Sequence, residues 1–304
     1  MEEDLAHLED LYHSLSWDGD IVAGESLKQH LISKKKEPLL KKESDEVHEV
    51  WKSSADAQII YRLTGASIDG KGLRTLMPGV WLNDQVVNLY MALLNERSKV
   101  LNKWTRNKRS YFFNSFFLVA LTNSEGGFNY DRVREWTSAV NVFKSEKLFF
   151  PIFGDNHWML VIVFLNEKRI QFFNSAENLR LKKGEHSIAI ILRWLSCEFL
   201  RIQEGCSCSR SEMGGECEVC QEKFLVNDWK KVLSCQEMPT PQQKNGFDCG
   251  VFMLTFAEFI ADDLPISSID QDLISLCREK IAFNLLHGGI PSYERSLKED
   301  IKKR

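Results

Sequence analysis

Apolar positions change period several times along this chain. Ile59, Tyr61 and Leu63 alternate with their neighbours, as a half-buried strand does. Val86, Val87, Tyr90, Met91 and Leu94 share one helical face, with Asn83 or Asp84 placed to cap the helix. Tyr111-Phe112-Phe113 is a short apolar run, and residues 130–138 predict a helix containing Val133 and Trp136. Three strands are expected at 147–153, 158–165 and 169–174, with the polar turn Gly154-Asp155-Asn156-His157 between the first two. A helix near 185–202 buries Ile188, Ile191, Leu192 and Leu195, and a strand follows at 229–236. Another helix starts at about Cys249 and carries Val251, Leu254, Phe256 and Phe259; a last one spans roughly 270–286. Strands grouped mid-chain with helices on both sides describe an α+β domain, and no internal repeat is visible.

Residues 1–45 follow a different pattern. Leu5, Leu8, Leu11, Tyr12 and Leu15 recur at helical spacing, and the chain then runs to Lys34-Lys35-Lys36 and Lys41-Lys42. Those lysines read as a solvated linker, with a nuclear-import patch as the alternative. The expected organisation is therefore a partly helical or flexible extension over 1–45 and one domain over 46–304.

Composition narrows the class. The 304 residues are 43% hydrophobic, with 19 Phe and 8 Trp, enough for a substantial aromatic core. A net charge of −4 argues against nucleic acid as the main partner. No run of 18 apolar residues suggests a membrane span, and the acidic start Met1-Glu2-Glu3-Asp4 is unlike a secretory signal. The expectation is a soluble intracellular monomer. In a reducing compartment its eight cysteines are buried thiols, metal ligands or reactive groups.

One segment stands out chemically: Pro241-Gln242-Gln243-Lys244-Asn245-Gly246-Phe247-Asp248-Cys249-Gly250, followed at once by an apolar helical run. Asn-Gly favours a turn, which places Cys249 at a helix amino terminus. Unpaired N–H groups and the helix dipole stabilise an anion there, so a thiolate is favoured. A cysteine nucleophile also needs a base. Of seven histidines, only His157 sits in a turn between two expected strands, and an aromatic residue follows it.

These residues resemble a known family. His157-Trp158, the pattern Gln243-x-Asn245-Gly246-x-Asp248-Cys249-Gly250, and Trp81-Leu82-Asn83-Asp84 are similar to motifs of the ubiquitin-like-protein-specific (sentrin/SUMO) cysteine proteases. Phe112-Phe113-Asn114-Ser115-Phe116-Phe117 and Val133-x-x-Trp136-Thr137 add secondary matches, and the resemblance covers roughly 46–295. It implies a papain-like catalytic domain with a central mixed sheet flanked by helices. It also implies cleavage after the Gly-Gly tail of a SUMO-like modifier, by deconjugation, precursor maturation or both. Cys249 is then the nucleophile, His157 the base, and Gln243 the side-chain donor to the oxyanion. Trp81 and Trp158 become the walls of a narrow tunnel for the tail. Partners are the modifier and its conjugates, no cofactor is required, and family habit places the protein in the nucleus or cytoplasm.

One position departs from the family pattern. Where the family has an Asp on the strand after His157, this chain reads Phe172-Phe173-Asn174-Ser175. Asn174 can accept a hydrogen bond from the imidazole, as in Cys-His-Asn enzymes, but it brings no negative charge, and a flipped amide would present a donor. The reading is a working but slowed protease. A catalytically impaired modifier-binding homologue, or a protease for another ubiquitin-like modifier, are the alternatives. Residues 203–226 form a cysteine-rich insertion, with Cys206-Ser207-Cys208 and Cys217-Glu218-Val219-Cys220. Four thiols can bind zinc tetrahedrally, but Cys-x-Cys and an eight-residue connection are tight, so an exposed surface insertion without metal is expected. Cys197, Cys235 and Cys277 are expected to be packed.

Overall fold

The computed structural model describes residues 21–53, 59–63, 66–104, 109–122, 127–176, 181–204, 224–233 and 239–290. The expected helix over Leu5–Leu15, the cysteine-rich insertion and Cys235 lie outside the described residues. The chain divides into two compact units. One comprises Met1–Lys108 with Lys244–Arg304; the other is Arg109–Gln243.

The first unit is mostly helical. Helices α1 (Ile21–Lys36) and α2 (Lys41–Lys52) precede an antiparallel ribbon of β1 (Ile59–Leu63) and β2 (Ala66–Asp69). A short α3 (Gly70–Arg74) and the long α4 (Asp84–Trp104) follow. After residue 244 come α7 (Cys249–Ala261) and α8 (Gln271–His287), with α5 (Phe116–Leu121) and α6 (Leu181–Glu204) lying in the second unit. Asn83 supplies the cap of α4, its Oδ1 accepting from Val86 N–H at 3.1 Å. Helix α7 is apolar nearly all round, and eleven of its residues from Cys249 to Ile260 are buried, as expected of a helix enclosed on every side.

Of these lysines, Lys35 departs from the solvated-linker reading. It lies in the last turn of α1, with Nζ 2.5 Å from Glu258 Oε1 and 3.0 Å from Asp262 Oδ2. Arg97 Nη2 reaches Asp262 Oδ1 at 2.8 Å, and Tyr90 donates its hydroxyl to Glu258 Oε2 at 2.8 Å. Lys280 Nζ in turn donates to Lys35 O at 2.6 Å and helps satisfy the end of α1. Burial disfavours charge on Glu258, but Lys35 and Arg97 outweigh it and hold its carboxyl at about 2. Two carboxylates at the end of α7 thus require a cation from a segment that sequence composition assigns to solvent.

The second unit holds a five-stranded mixed sheet in the order β3-β4-β5-β6-β7. Its strands are β3 (Arg109–Phe112), β4 (Ser145–Gly154), β5 (His157–Phe164), β6 (Arg169–Phe173) and β7 (Lys230–Leu233). The central pairs β4–β5 and β5–β6 are antiparallel; the outer pairs β3–β4 and β6–β7 are parallel. Every residue of β5 is buried. Helix α5 (Phe116–Leu121) and helix α6 (Leu181–Glu204) pack on the sheet. Phe113, Phe117, Phe150 and Trp194 form the aromatic centre, with Phe113 and Phe150 stacked at 4.3 Å and both Phe117 and Phe150 edge-on to Trp194.

Two local expectations need revision. Helix α6 begins at Leu181, a turn earlier than expected, and runs through Gly184. A Cβ at Gly184 would lie 2.6 Å from the Phe172 ring, so the helix crosses β6 where only glycine fits. Residues 130–138 form two 3-10 turns, Tyr130–Arg132 and Arg134–Thr137, rather than one α-helix. Two of their side chains reach a buried acid: Tyr130 and Thr137 hydroxyls donate to Glu198 at 2.6 and 2.7 Å.

Candidate active site

His157 owes its position to a two-residue hairpin. Asp155 and Asn156 have φ of 54° and 56°, the left-handed pair of a type I′ turn, and Gly154 pairs with His157 across it. The turn matches the twist of β4 and β5, so the imidazole sits at the first position of the central strand. It is 4% exposed. Trp158 follows, also 4% exposed, its ring 4.8 Å from that of Phe153 on the facing strand. Phe153 itself is 48% exposed, an outward aromatic that the sequence pattern did not single out.

Asn174 lies just beyond β6, two strands' ends from the same turn. Its Oδ1 is 2.7 Å from His157 Nε2. The amide is pinned from its other side as well: Nδ2 donates to Ala176 O at 2.7 Å, and Oδ1 accepts from Ala176 N–H at 3.0 Å. A main-chain donor and a main-chain acceptor of one residue read both ends of the amide, so the flipped orientation is excluded. Oδ1 is an acceptor, hence Nε2 carries the proton that it receives. Nδ1 is then the basic nitrogen of the neutral ring.

Gln243 is joined to the residue next to Asn174. Ser175 Oγ donates to Gln243 Oε1 at 2.7 Å, and Gln243 N–H donates to Ser175 O at 2.8 Å. Gln242 Nε2 adds bonds to Asn174 O at 3.1 Å and Thr240 O at 2.6 Å. The structure thus gathers His157, Asn174, Ser175 and Gln243 at one end of the sheet in the second unit.

Cys249 and Trp81 belong to the first unit. Cys249 is the first residue of α7 and is 4% exposed. The turn before it is built by Asn245, whose Oδ1 accepts from Phe247 N–H at 3.1 Å and Asp248 N–H at 3.0 Å. Asp248, directly before the cysteine, is buried and held on both oxygens. Asn245 and Gln271 each donate to Oδ2 at 2.7 Å, and Arg278 donates to Oδ1 through Nε at 2.8 Å and Nη2 at 2.6 Å.

Arg278 is 3% exposed and spends five donors in one place. Beyond Asp248 it reaches Phe247 O at 3.1 Å, Met77 O at 3.0 Å and Thr75 O at 3.4 Å. One guanidinium thereby ties the turn before Cys249 to the segment leading to Trp81. Leu82 closes the same arrangement, because a Cβ on Gly250 would meet its side chain at 2.9 Å. Trp81 is 52% exposed. Sequence reasoning missed Arg278, although a signal exists: it occupies the stripe of Ile274, Ile281 and Leu285 on α8, where a charge demands a partner.

Among the described residues no group of three or more His, Cys, Asp or Glu side chains could hold a metal ion, and no helix is long and apolar enough to cross a membrane. Cys197 and Cys277 are partly buried. Burial pushes the Cys277 thiol up to about 11, the opposite of what a nucleophile requires.

Comparison with known proteins identifies the family and the fold. Residues 80–287 match the C-terminal catalytic domain of the Ulp1 protease family. Ubiquitin-like-specific protease 1A of Arabidopsis thaliana is 33% identical over 242 residues, covering 78% of this chain and 43% of that protein. Sentrin-specific protease 2 of Homo sapiens is 32% identical over 215 residues, covering 71% of this chain and 31% of its own length. The chain therefore spans less than half the length of these relatives. The solved C-terminal Ulp1 protease domain in complex with Smt3, the yeast ortholog of SUMO, superposes with a TM-score of 0.64 at 23% identity, covering 83% of this chain and 97% of that one. That likeness shows a shared fold and bears out the expected α+β papain-like architecture. With a family match across most of the chain and relatives a third identical over more than two thirds of it, the chain belongs to the Ulp1 protease family.

Proposed function

We propose that this protein is a cysteine protease that cleaves after the Gly-Gly tail of a SUMO-like modifier, releasing it from lysine side chains of conjugates, from its precursor, or both. The observation that carries the reading is the pinned Asn174 amide, which gives His157 a fixed tautomer and orientation without a carboxylate. A decayed site would have no need of an asparagine held by both its oxygen and its nitrogen.

In this reading Cys249 Sγ, relieved of its proton by His157, bonds to the carbonyl carbon of the terminal glycine. The carbonyl π-electrons move to oxygen, and the amide N–H of Gln243 with the backbone N–H of Cys249 receives that negative charge. The C–N bond then breaks, and the imidazolium hands its proton to the departing lysine amine. Water, deprotonated by the imidazole, attacks the thioester, freeing the modifier's carboxylate and restoring the thiol. Asn174 holds the imidazole throughout, and no cofactor enters. Trp81 and Trp158 are the aromatic residues for the tail, Trp81 being the exposed one. The names of the relatives, ubiquitin-like-specific and sentrin-specific proteases, support the choice of modifier; a nuclear or cytoplasmic setting goes with that reading.

The test is reaction of the purified protein with electrophile-tipped SUMO, ubiquitin and a Nedd-type modifier, beside Cys249→Ser. A covalent adduct with SUMO alone, absent in the variant, is the expected result. SUMO binding without any adduct would instead identify an inactive binding module, and an adduct with another modifier would reassign the specificity.

A further inference from the structure

We propose that Arg278 is a positioning residue for the reactive thiol. It draws the Asp248 carboxylate off the amino terminus of α7 and cancels its charge, leaving that helix end to an anion at Cys249. The inference deepens the protease reading, from which it takes Cys249 as the nucleophile, and every residue in it belongs to the first unit.

An aspartate in the N-cap position ordinarily turns its carboxylate back to accept from the first N–H groups of its own helix. Two others in this unit do so. Asp270 accepts from Leu273 N–H at 2.8 Å at the start of α8, and Asp69 accepts from Gly72 N–H at 2.7 Å at the start of α3. Asp248 holds the same position at α7, yet its side chain makes no cap bond. Its oxygens are engaged elsewhere. Arg278 donates to Oδ1 through Nε at 2.8 Å and Nη2 at 2.6 Å, and Gln271 and Asn245 each donate to Oδ2 at 2.7 Å. The direction of the Arg278 bonds is fixed by chemistry, because a guanidinium only donates and a carboxylate only accepts.

Cys249 is the next residue, and it opens α7. A carboxylate beside a thiol opposes the thiolate by like charge. A carboxylate that capped the helix would also occupy the N–H groups and the positive dipole end that favour an anion there. Arg278 acts against both effects. Asp248 and Arg278 are each 3% exposed, so salt and solvent screen their charges weakly. Of the other side chains at this turn, Asn245 and Gln271 are neutral and Lys244 is exposed. Asp248 thus anchors the turn before the cysteine without setting its charge against the sulfur.

The experiment follows alkylation of Cys249 by iodoacetamide across pH, read by mass spectrometry of the peptide that carries it. The variants are Asp248→Asn, Arg278→Gln, Arg278→Lys and the double variant Asp248→Asn/Arg278→Gln, with folding checked by circular dichroism. Asp248→Asn leaves the guanidinium uncompensated, so alkylation on the acid limb should be about tenfold faster than in the parent. Arg278→Gln leaves the carboxylate without a counter-charge and should be about tenfold slower. The double variant should return toward the parent, and Arg278→Lys, which keeps the charge, should keep the pH of the profile. A role confined to holding the fold would move both single variants the same way, and that result overturns the proposal. So does an Asp248→Asn protein that alkylates no faster than the parent. Should Arg278→Gln not fold, Asp248→Asn and Arg278→Lys decide. The order of rates should survive in a His157→Ala background; its loss there would assign the effect to the histidine and overturn the proposal. No modifier enters the assay, so a parent that cleaves none would refute the protease reading while alkylation still reports on Arg278.

Discussion

Asn174 turns its oxygen, not its nitrogen, toward His157, and Ala176 enforces the choice by bonding to both ends of the amide. The tautomer error that makes Asp→Asn so costly in a serine-protease triad, about 10⁴ in turnover, is thereby avoided. What asparagine cannot supply is negative charge beside the imidazolium. Asn174→Asp should therefore quicken turnover, and by no more than about tenfold, or 1.4 kcal/mol of barrier. The carboxylate would gain the charge but set an oxygen against Ala176 O, where Nδ2 now donates. Its kcat–pH profile should also hold the imidazolium to higher pH. Asn174→Ala should lose about 10² of kcat. An Asp variant no faster than the parent would show that Asn174 does not limit the rate.

Arg278 makes a second case for geometry imposed from a distance. Arg278→Met removes the counter-charge of a buried Asp248 and strands three carbonyls, so unfolding stability should fall by about 3–5 kcal/mol. Arg278→Lys keeps the charge but cannot fork toward Phe247, Met77 and Thr75 together. It should fall between the parent and Arg278→Met in urea midpoint, and lose modifier cleavage more steeply than stability. Denaturation curves and kcat/KM on the same preparations decide it; equal behaviour of Lys and Met would refute the fork.

Acid should find the Lys35 cluster. Glu258 titrates at about 2 in the fold and near 4.5 when unfolded. A depressed carboxyl stabilises the fold fully above the unfolded value and progressively less as pH falls from there toward 2. Lys35→Met removes the cation that outweighs burial, so Glu258 becomes easier to protonate and the acid unfolding midpoint should move to higher pH. Circular dichroism along an acid titration measures the shift. An unmoved midpoint would mean Arg97 alone suffices.

Gly184 offers a test of sign. In a helix interior, Gly→Ala ordinarily stabilises by about 0.5–1 kcal/mol. Here the added methyl would press into the Phe172 ring at 2.6 Å, and overpacking costs about 1–3 kcal/mol. Gly184→Ala should destabilise, and the thermal melt reports which contribution prevails.

The strand triplet, the helix from Cys249 and the last helix were legible because long runs of apolar residues keep one period. The placement of His157 was legible because the polar turn Gly154-Asp155-Asn156-His157 separates two such strands. Asn174 and Gln243 came only through resemblance, since an Asn after a strand and a Gln in a loop leave no periodic trace. The bond between Ser175 and Gln243 left none at all, because residues far apart in sequence meet only in the fold. Lys35 was misread for a related reason. Three consecutive lysines look alike in composition, and only Glu258 and Asp262, over two hundred residues away, make the middle one different. The 130–138 helix failed because Glu198 draws Tyr130 and Thr137 inward and the backbone tightens to suit.

The order of the two units along the chain has a consequence for biosynthesis. The first unit is split, and its second stretch begins at Lys244, five residues before Cys249. A ribosome adding about 5–20 residues per second needs on the order of ten seconds to make the intervening unit. The sheet with its histidine can form during that interval, but the helix that would activate the thiol does not yet exist. A nascent chain that stops short of Lys244 thus lacks both Cys249 and the helix it begins, so the reactivity proposed for the thiol waits on the second stretch of the first unit.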